Sequence, residues 1–280
     1  MLIPYVCGAL LLVLLPALLT FALAFTTYDG LATPQWVGDQ TFQDVRFDPV
    51  FPIAVQNTLV FVGVSLPLRV LLALGLALLL ERQRRGVRFY RAAIYTPMVI
   101  PDVAYALIWL WILNPLYGPL NLALRTIGII PPAWLVQPET ALLTLAAVGL
   151  FQIGESFVVL LVGLHNIPLE YHEQAMLDGG GAWQRFRYIT CPLLLPWLLL
   201  VSVRDLLLLT QQSFVPAYLM TGGGPYYATT TLPMLIYEEA FDRLRFGHGA
   251  AMLLLQSLVI AVLVLIGVVL ARQIVGERTP

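Results

Sequence analysis

Lysine is missing altogether from the 280 residues, so every strongly basic side chain is one of 15 arginines. Its absence excludes a Gly-x-x-x-x-Gly-Lys-Ser/Thr phosphate loop, and with it ATP hydrolysis by that machinery. Charge of either sign is scarce. Asp, Glu, Lys and Arg together make up 11%, where a soluble domain carries about 25%. So few charges cannot clothe a surface in water. The net charge of −1 leaves no basic footprint for a nucleic acid. Cys7 and Cys191 are the only cysteines; both fall in or beside apolar runs and read as small apolar residues, not as a disulfide or a metal pair. His165, His172 and His248 lack metal-ligand spacing. There is no Gly-x-Ser-x-Gly elbow and no His-Glu-x-x-His pair, the usual carriers of hydrolase chemistry. Asp102 and Asp205 lack the Gly-x-Gly-Asp setting of an intramembrane protease. No internal repeat is visible either, which argues against an ion-coupled secondary transporter.

What fills the chain instead is apolar sequence: 59% of the residues are hydrophobic and the mean hydropathy is +0.84. A membrane helix needs about 20 mostly apolar residues, and six runs qualify, at roughly 5–25, 54–80, 92–113, 140–164, 192–219 and 250–272. The expected fold is all-α, a single polytopic membrane domain of six transmembrane helices. The first run lacks a basic start and a small-residue cleavage site, so it reads as a retained helix and not a signal peptide. Arginines set the orientation. Arg82, Arg84, Arg85, Arg88 and Arg91 follow the second run, Arg185 and Arg187 follow the fourth, and Arg272 and Arg278 lie in the tail. The opposite loops hold Arg46, Arg125, Arg243 and Arg245 among many acids. Both termini are therefore expected in the cytoplasm.

The loop 165–191 is the most informative stretch. Pro168 suits the first turn of a helix, Leu169, His172, Glu173, Ala175 and Met176 follow at helical spacing, and Gly179, Gly180 and Gly181 stop it. A second short amphipathic helix is expected next, with Trp183, Phe186 and Ile189 on one face, and Pro192 opening the fifth span. Exposed aromatics on the arginine-rich side call for a partner surface or, equally, for lipid headgroups.

This loop resembles the EAA motif of the inner-membrane subunits of binding-protein-dependent ABC importers: Glu173, Ala175, Gly179, Ile189 and Pro192 stand at the family spacing, and Asp178, Trp183 and Phe186 match its extensions. Gln174 and Cys191 depart from it, and three glycines replace the usual Gly-Ala. The resemblance extends to Asn57-Thr58-Leu59, Pro97, Ile100-Pro101, Trp109 and the run Leu219-Met220-Thr221-Gly222-Gly223-Gly224-Pro225, which is similar to carbohydrate permeases of the maltose and glycerol-phosphate kind. It implies a transport subunit, not an enzyme, in a bacterial inner membrane, importing a sugar, with a polyol or glycerol phosphate as the alternative. It also implies two partner ATPase subunits, which bind the ATP and magnesium and one of which docks at the loop, no cofactor in this chain, a second and different permease, and an extracytoplasmic solute-binding protein touching the outer loops 26–53 and 222–249.

Arg69, Asp102, Glu155, Arg204 and Asp205 lie inside the apolar runs, near their middles. Each costs about 2.5–3.5 kcal/mol against lipid, so they must face protein or water. One reading makes them a polar solute pathway: Asp102, Glu155, Arg204 and Asp205 with Gln211 and Gln212 for hydroxyl groups, and Trp109 as a face for a sugar ring. Glu155 and Arg204 are expected to touch the solute. The other reading makes them interhelical ion pairs, Arg69 with Asp102 for example. Pro97 and Pro101 are expected to break the third helix beside Asp102.

Overall fold

The computed structural model describes residues 2–82 and 84–276, with side chains through residue 269; Arg278 of the tail lies outside the described residues. Helix α1 (Ile3–Leu23) is exposed along its apolar length. A two-residue hairpin follows, Thr26–Thr27 (β1) against Gln35–Trp36 (β2), antiparallel with Thr26 opposite Trp36. Helix α2 (Gln40–Phe47) is short. Then comes α3 (Phe51–Leu80), whose 30 residues make about 45 Å at 1.5 Å per residue, enough to cross a bilayer.

The third and fourth apolar runs are broken. Helices α4 (Val87–Val99) and α5 (Asp102–Ile112) meet at 103°. Pro101 makes the break and Pro97 does not, because Pro97 stays inside α4 while Ile100 before Pro101 is extended, at ψ 127°, the conformation imposed on a residue preceding proline. The small helix α6 (Pro119–Thr126) leads to α7 (Pro138–Gly149) and α8 (Gly154–His165), bent by 49°. Helix α9 (Leu169–Leu177) is the loop helix.

One expectation is corrected at this point. Trp183 and Phe186 do not sit on a separate short helix; the helix that carries them runs on through Pro192 into the fifth apolar run. Helix α10 runs unbroken from Ala182–Thr221, 40 residues. A wide π-turn at Phe186–Thr190 precedes Pro192, and such a turn absorbs the missing N–H and the ring of a proline without ending the helix. Helix α11 (Leu232–Tyr237) continues through a second wide turn, Glu238–Asp242, and α12 (Phe246–Gly276) closes the chain.

Helices α3, α8 and α10 form the centre. Ala73 and Ala77 of α3 are fully buried against Phe157, Leu160 and Leu164 of α8 and Leu194 and Val201 of α10. Small residues let the backbones approach, which is how helices associate where lipid removes the hydrophobic drive. Around this centre, α5 and α7 pack through Tyr105, Leu145 and Val148, α11 packs on α3 through Leu235, and α12 packs on α11 and α2 through Ala251 and Met252.

Candidate functional site

The helix breaks bring the midplane charges together. Gln152 sits in the gap between α7 and α8, where its carbonyl has no helical donor. Arg69, 2% exposed, fills that role: Nη2 donates to the Gln152 carbonyl at 2.6 Å and Nη1 to Gln212 Oε1 at 2.9 Å. Gln152 Nε2 in turn lies 3.4 Å from Asp102 Oδ1. These groups line a narrow cleft, with room for little more than a water molecule, that has Tyr105 at its wall, whose hydroxyl donates to the Val148 carbonyl at 2.7 Å. Above it Trp109 and Phe151 have ring centroids 4.9 Å apart.

A second cluster lies one to two turns away. Arg204 pairs with Glu155 and also reaches Asp205 Oδ1 at 3.0 Å. Ser156 Oγ lies 2.9 and 2.7 Å from the two oxygens of Asp205. Asp205 is 0% exposed, whereas the side chains of Glu155 and Arg204 are 41% and 27% exposed. Asp205 therefore holds Arg204 from behind, and the open side of the cluster is Glu155 and Arg204. Neither expected extreme describes the set. Glu155 and Arg204 are paired and still accessible, and Arg69 pairs with no carboxylate among the described residues. The interhelical pair Arg69–Asp102 is replaced by a chain through Gln152. Of the adjacent glutamines, Gln212 joins this chain and Gln211 is exposed on another face, as a 100° step on a helix requires.

At the other end of α10 the loop is folded tightly. Asp178 and Gly179 donate back to the Gln174 and Met176 carbonyls, and Gly180 N–H donates to Ala175 O at 2.7 Å. Gly179 has φ +77°, a conformation other residues pay to adopt. A Cβ on Gly180 would stand 2.6 Å from the Ala175 carbonyl oxygen. The run of glycines is thus a closed C-terminal cap and not a loose turn. Glu173 and Asp178 are exposed and Ala175 is half-buried; Phe186 and Ile189 are half-buried beside them. Leu177 is 88% exposed, Tyr188 71% and Trp183 67%, an apolar surface that a partner or lipid must cover.

Among family descriptions, "binding-protein-dependent transport system inner membrane component" matches residues 69–276, which takes in both charge clusters and the loop. The chain belongs to that family, as a permease subunit of an ABC importer. The permease is 31% identical over 268 residues to the probable ABC transporter permease protein YesP of Bacillus subtilis, covering 94% of this chain and 86% of that one. It is 32% identical over 240 residues to the sn-glycerol-3-phosphate permease UgpA of Agrobacterium fabrum (84% and 79% covered), and 30% over 258 residues to the trehalose/maltose permease MalF of Thermococcus litoralis (91% and 86%). Its fold matches a chain of a bacterial importer of the acidic polysaccharide alginate, crystallised with an alginate pentasaccharide-bound periplasmic protein, at a TM-score of 0.85 and 25% identity, with 98% and 93% covered.

Two of the permease's sequence signatures turn out to be one structural unit on the side opposite the loop. Asn57 Nδ2 donates to the Tyr227 and Thr230 carbonyls at 2.7 and 2.9 Å, and Thr58 Oγ1 accepts from Leu232 N–H at 2.8 Å. These bonds tie the segment after Gly222-Gly223-Gly224-Pro225 to α3. Glu239, in the loop 222–249 expected to touch a solute-binding protein, is 0% exposed and paired with Arg243 and Arg245. It anchors the segment, so it is not a docking contact; Asp242, Arg243 and Arg245 remain exposed. Burial raises the pKa of the neighbouring Glu238 above the ordinary carboxylate range. Sequence reasoning missed Phe151, Gln152 and Ser156. The available signal was the polar Gln152 between Gly149 and Gly154 in an otherwise apolar run, a pattern that marks an interrupted membrane helix.

Proposed function

We propose that the permease carries a saccharide, delivered by an extracytoplasmic solute-binding protein, past the accessible Glu155–Arg204 pair and the groups at its two helix breaks. The observation that supports this most is the meeting of polar groups from α3, α5, α8 and α10 at one depth, beside the Trp109–Phe151 rings. Charged and amide groups bind hydroxyl groups in pairs, and aromatic faces cover the apolar face of a sugar ring. Relatives carry saccharides, trehalose or maltose in one and the acidic polysaccharide alginate in another, and glycerol 3-phosphate in a third. Net charge also favours a neutral sugar over a phosphate ester, because the five midplane groups comprise two arginines and three acids.

In this reading the loop around Glu173 docks on one of two ATPase subunits, which supply ATP and magnesium. Ala175, Asp178, Gly179, Trp183, Phe186, Ile189 and Pro192 shape the docking surface. A second, different permease completes the path, and both termini lie in the cytoplasm with the arginine-rich loops. The test is co-purification from detergent, followed by an ATPase assay on the assembled importer with and without Glu173→Ala. Wild type should bring down a nucleotide-binding subunit and a second permease, and the variant should lose stimulation by the loaded binding protein. A chain that purifies alone and drives uptake without ATP overturns the proposal.

A further inference from the structure

The connection between α3 and α4 carries the strongest single-sign patch in the chain. From residue 81 to 91 there are five arginines, Arg82, Arg84, Arg85, Arg88 and Arg91, against one acid, Glu81. Arg91 is occupied: Nε and Nη2 donate to the Leu80 carbonyl at 3.2 and 2.6 Å, and Nη2 also to the Glu81 carbonyl at 3.1 Å. The other four are exposed, and among the described residues none makes an ion pair or a side-chain hydrogen bond.

Their depth is constrained. Leu80 and Val87, which bracket the turn, are both buried in the central core, and Arg91 staples the start of α4 to the end of α3. Only 81–86 is left to project. At about 3.4 Å per residue, out and back, such a segment reaches roughly 10 Å at most. That is comparable with the headgroup layer, about 5–8 Å thick on each side of a bilayer. Beside the arginines Phe89 is 73% and Tyr90 58% exposed, with ring centroids 5.9 Å apart. Exposed aromatic rings next to guanidinium groups at the end of a span suit the membrane interface, where rings settle among headgroups and arginines take phosphate oxygens two at a time. A docking face for an ATPase is disfavoured by this pinned position, flush with the span ends, while the helix α9 stands free on its own connection.

We propose that residues 81–91 form a binding site for anionic phospholipid headgroups, with Arg82, Arg84, Arg85 and Arg88 as the phosphate ligands and Phe89 and Tyr90 seated in the interface. A headgroup held there steadies the inner ends of α3, which carries Arg69, and of α4, which leads to the break at Pro101. The site does not depend on the identity of the solute.

The experiment is an exchange of the detergent-purified importer complex into equal amounts of phosphatidylglycerol and phosphatidylcholine with the same acyl chains, with retained lipid counted by mass spectrometry. Wild type should retain phosphatidylglycerol preferentially. Each arginine at an anionic surface contributes about fivefold, so R82Q/R84Q/R85Q/R88Q should lower that preference by about tenfold or more. The Lys counterpart, R82K/R84K/R85K/R88K, should keep most of it. Raising salt from about 0.1 M to about 0.5 M should weaken it in wild type, a readout that stands even if the Gln variant fails to accumulate. Equal retention of the two lipids by wild type, or an unchanged preference in the Gln variant, overturns the proposal. So does a Gln variant that keeps phosphatidylglycerol but loses the ATPase subunit, which would make the patch a protein contact.

Discussion

Changing Arg204 to Gln removes the ion-pair partner of a carboxylate that has no access to water. Asp205 is 0% exposed and, among the described residues, its direct partners are Ser156 and Arg204. Breaking a buried pair from one side costs about 3–5 kcal/mol, because the remaining charge is stranded. Arg204 is itself 27% exposed at the side chain, so part of its attraction is already screened and the lower figure, about 3 kcal/mol, is the working value. For chains approaching this length about 1 kcal/mol moves the unfolding midpoint by roughly 2–4 °C. R204Q should therefore melt roughly 6–12 °C below wild type in a detergent thermal-unfolding assay. Asp205→Asn removes the stranded charge and keeps a group for Ser156, so R204Q/D205N should recover at least half of the loss. Glu155→Gln touches a half-exposed pair of the kind that contributes about 0–1 kcal/mol; it should leave the midpoint within about 3 °C and still reduce uptake. An R204Q protein that melts like wild type, or a double variant less stable than R204Q, would refute the account of Asp205 as a buried support.

Three further outcomes are expected. Gly180→Ala forces a Cβ to within 2.6 Å of the Ala175 carbonyl oxygen and should open the cap after α9, lowering ATPase co-purification several-fold; Gly181→Ala, whose Cβ would meet only Gln184 Oε1 at 3.8 Å, should do much less. At the outer segment the loss should be asymmetric. R243Q/R245Q strands the buried Glu239 at a cost of about 3–5 kcal/mol, and E239Q, which leaves two half-exposed arginines free to hydrate, should cost clearly less in the same melt. Backbone N–H groups of Ala32 and Leu31 hold the Asp29 carboxylate below its ordinary pKa. A depressed folded-state pKa means the turn is stabilised above the unfolded value and loses that support as pH falls through the folded one. The protection of the Leu31 and Ala32 amides, taken against the intrinsic exchange rate at each pH, should therefore be high at pH 6, fall below about pH 4, and lose this acid dependence in Asp29→Ala.

Composition and periodicity alone determined a good deal of this permease. Six apolar runs of helix-spanning length in an arginine-only, charge-poor chain point to an all-helical membrane fold, in which every backbone group in lipid is satisfied within its own segment. The spacing from Glu173 to Pro192 made the family legible, because helix α9, its glycine cap and the start of α10 are local structure, set by residues within a few turns of one another. The break at Pro101 was legible for the same reason.

Partnership across the bundle was decided only in three dimensions. Arg69 stands 83 positions from Gln152 and 143 from Gln212, and no local rule selects these over Asp102. Ser156 meets Asp205 across 49 positions, and Asn57 meets Thr230 across 173. Glu239 and Asp242 look alike in sequence, yet one is a buried anchor and the other is exposed. The difference is set by which helix face the packing covers. A span boundary depends on the short-range cost of putting polar groups in lipid, which each residue carries with it; a buried charge's partner depends on which backbones pack together, and that is a property of the assembled helices.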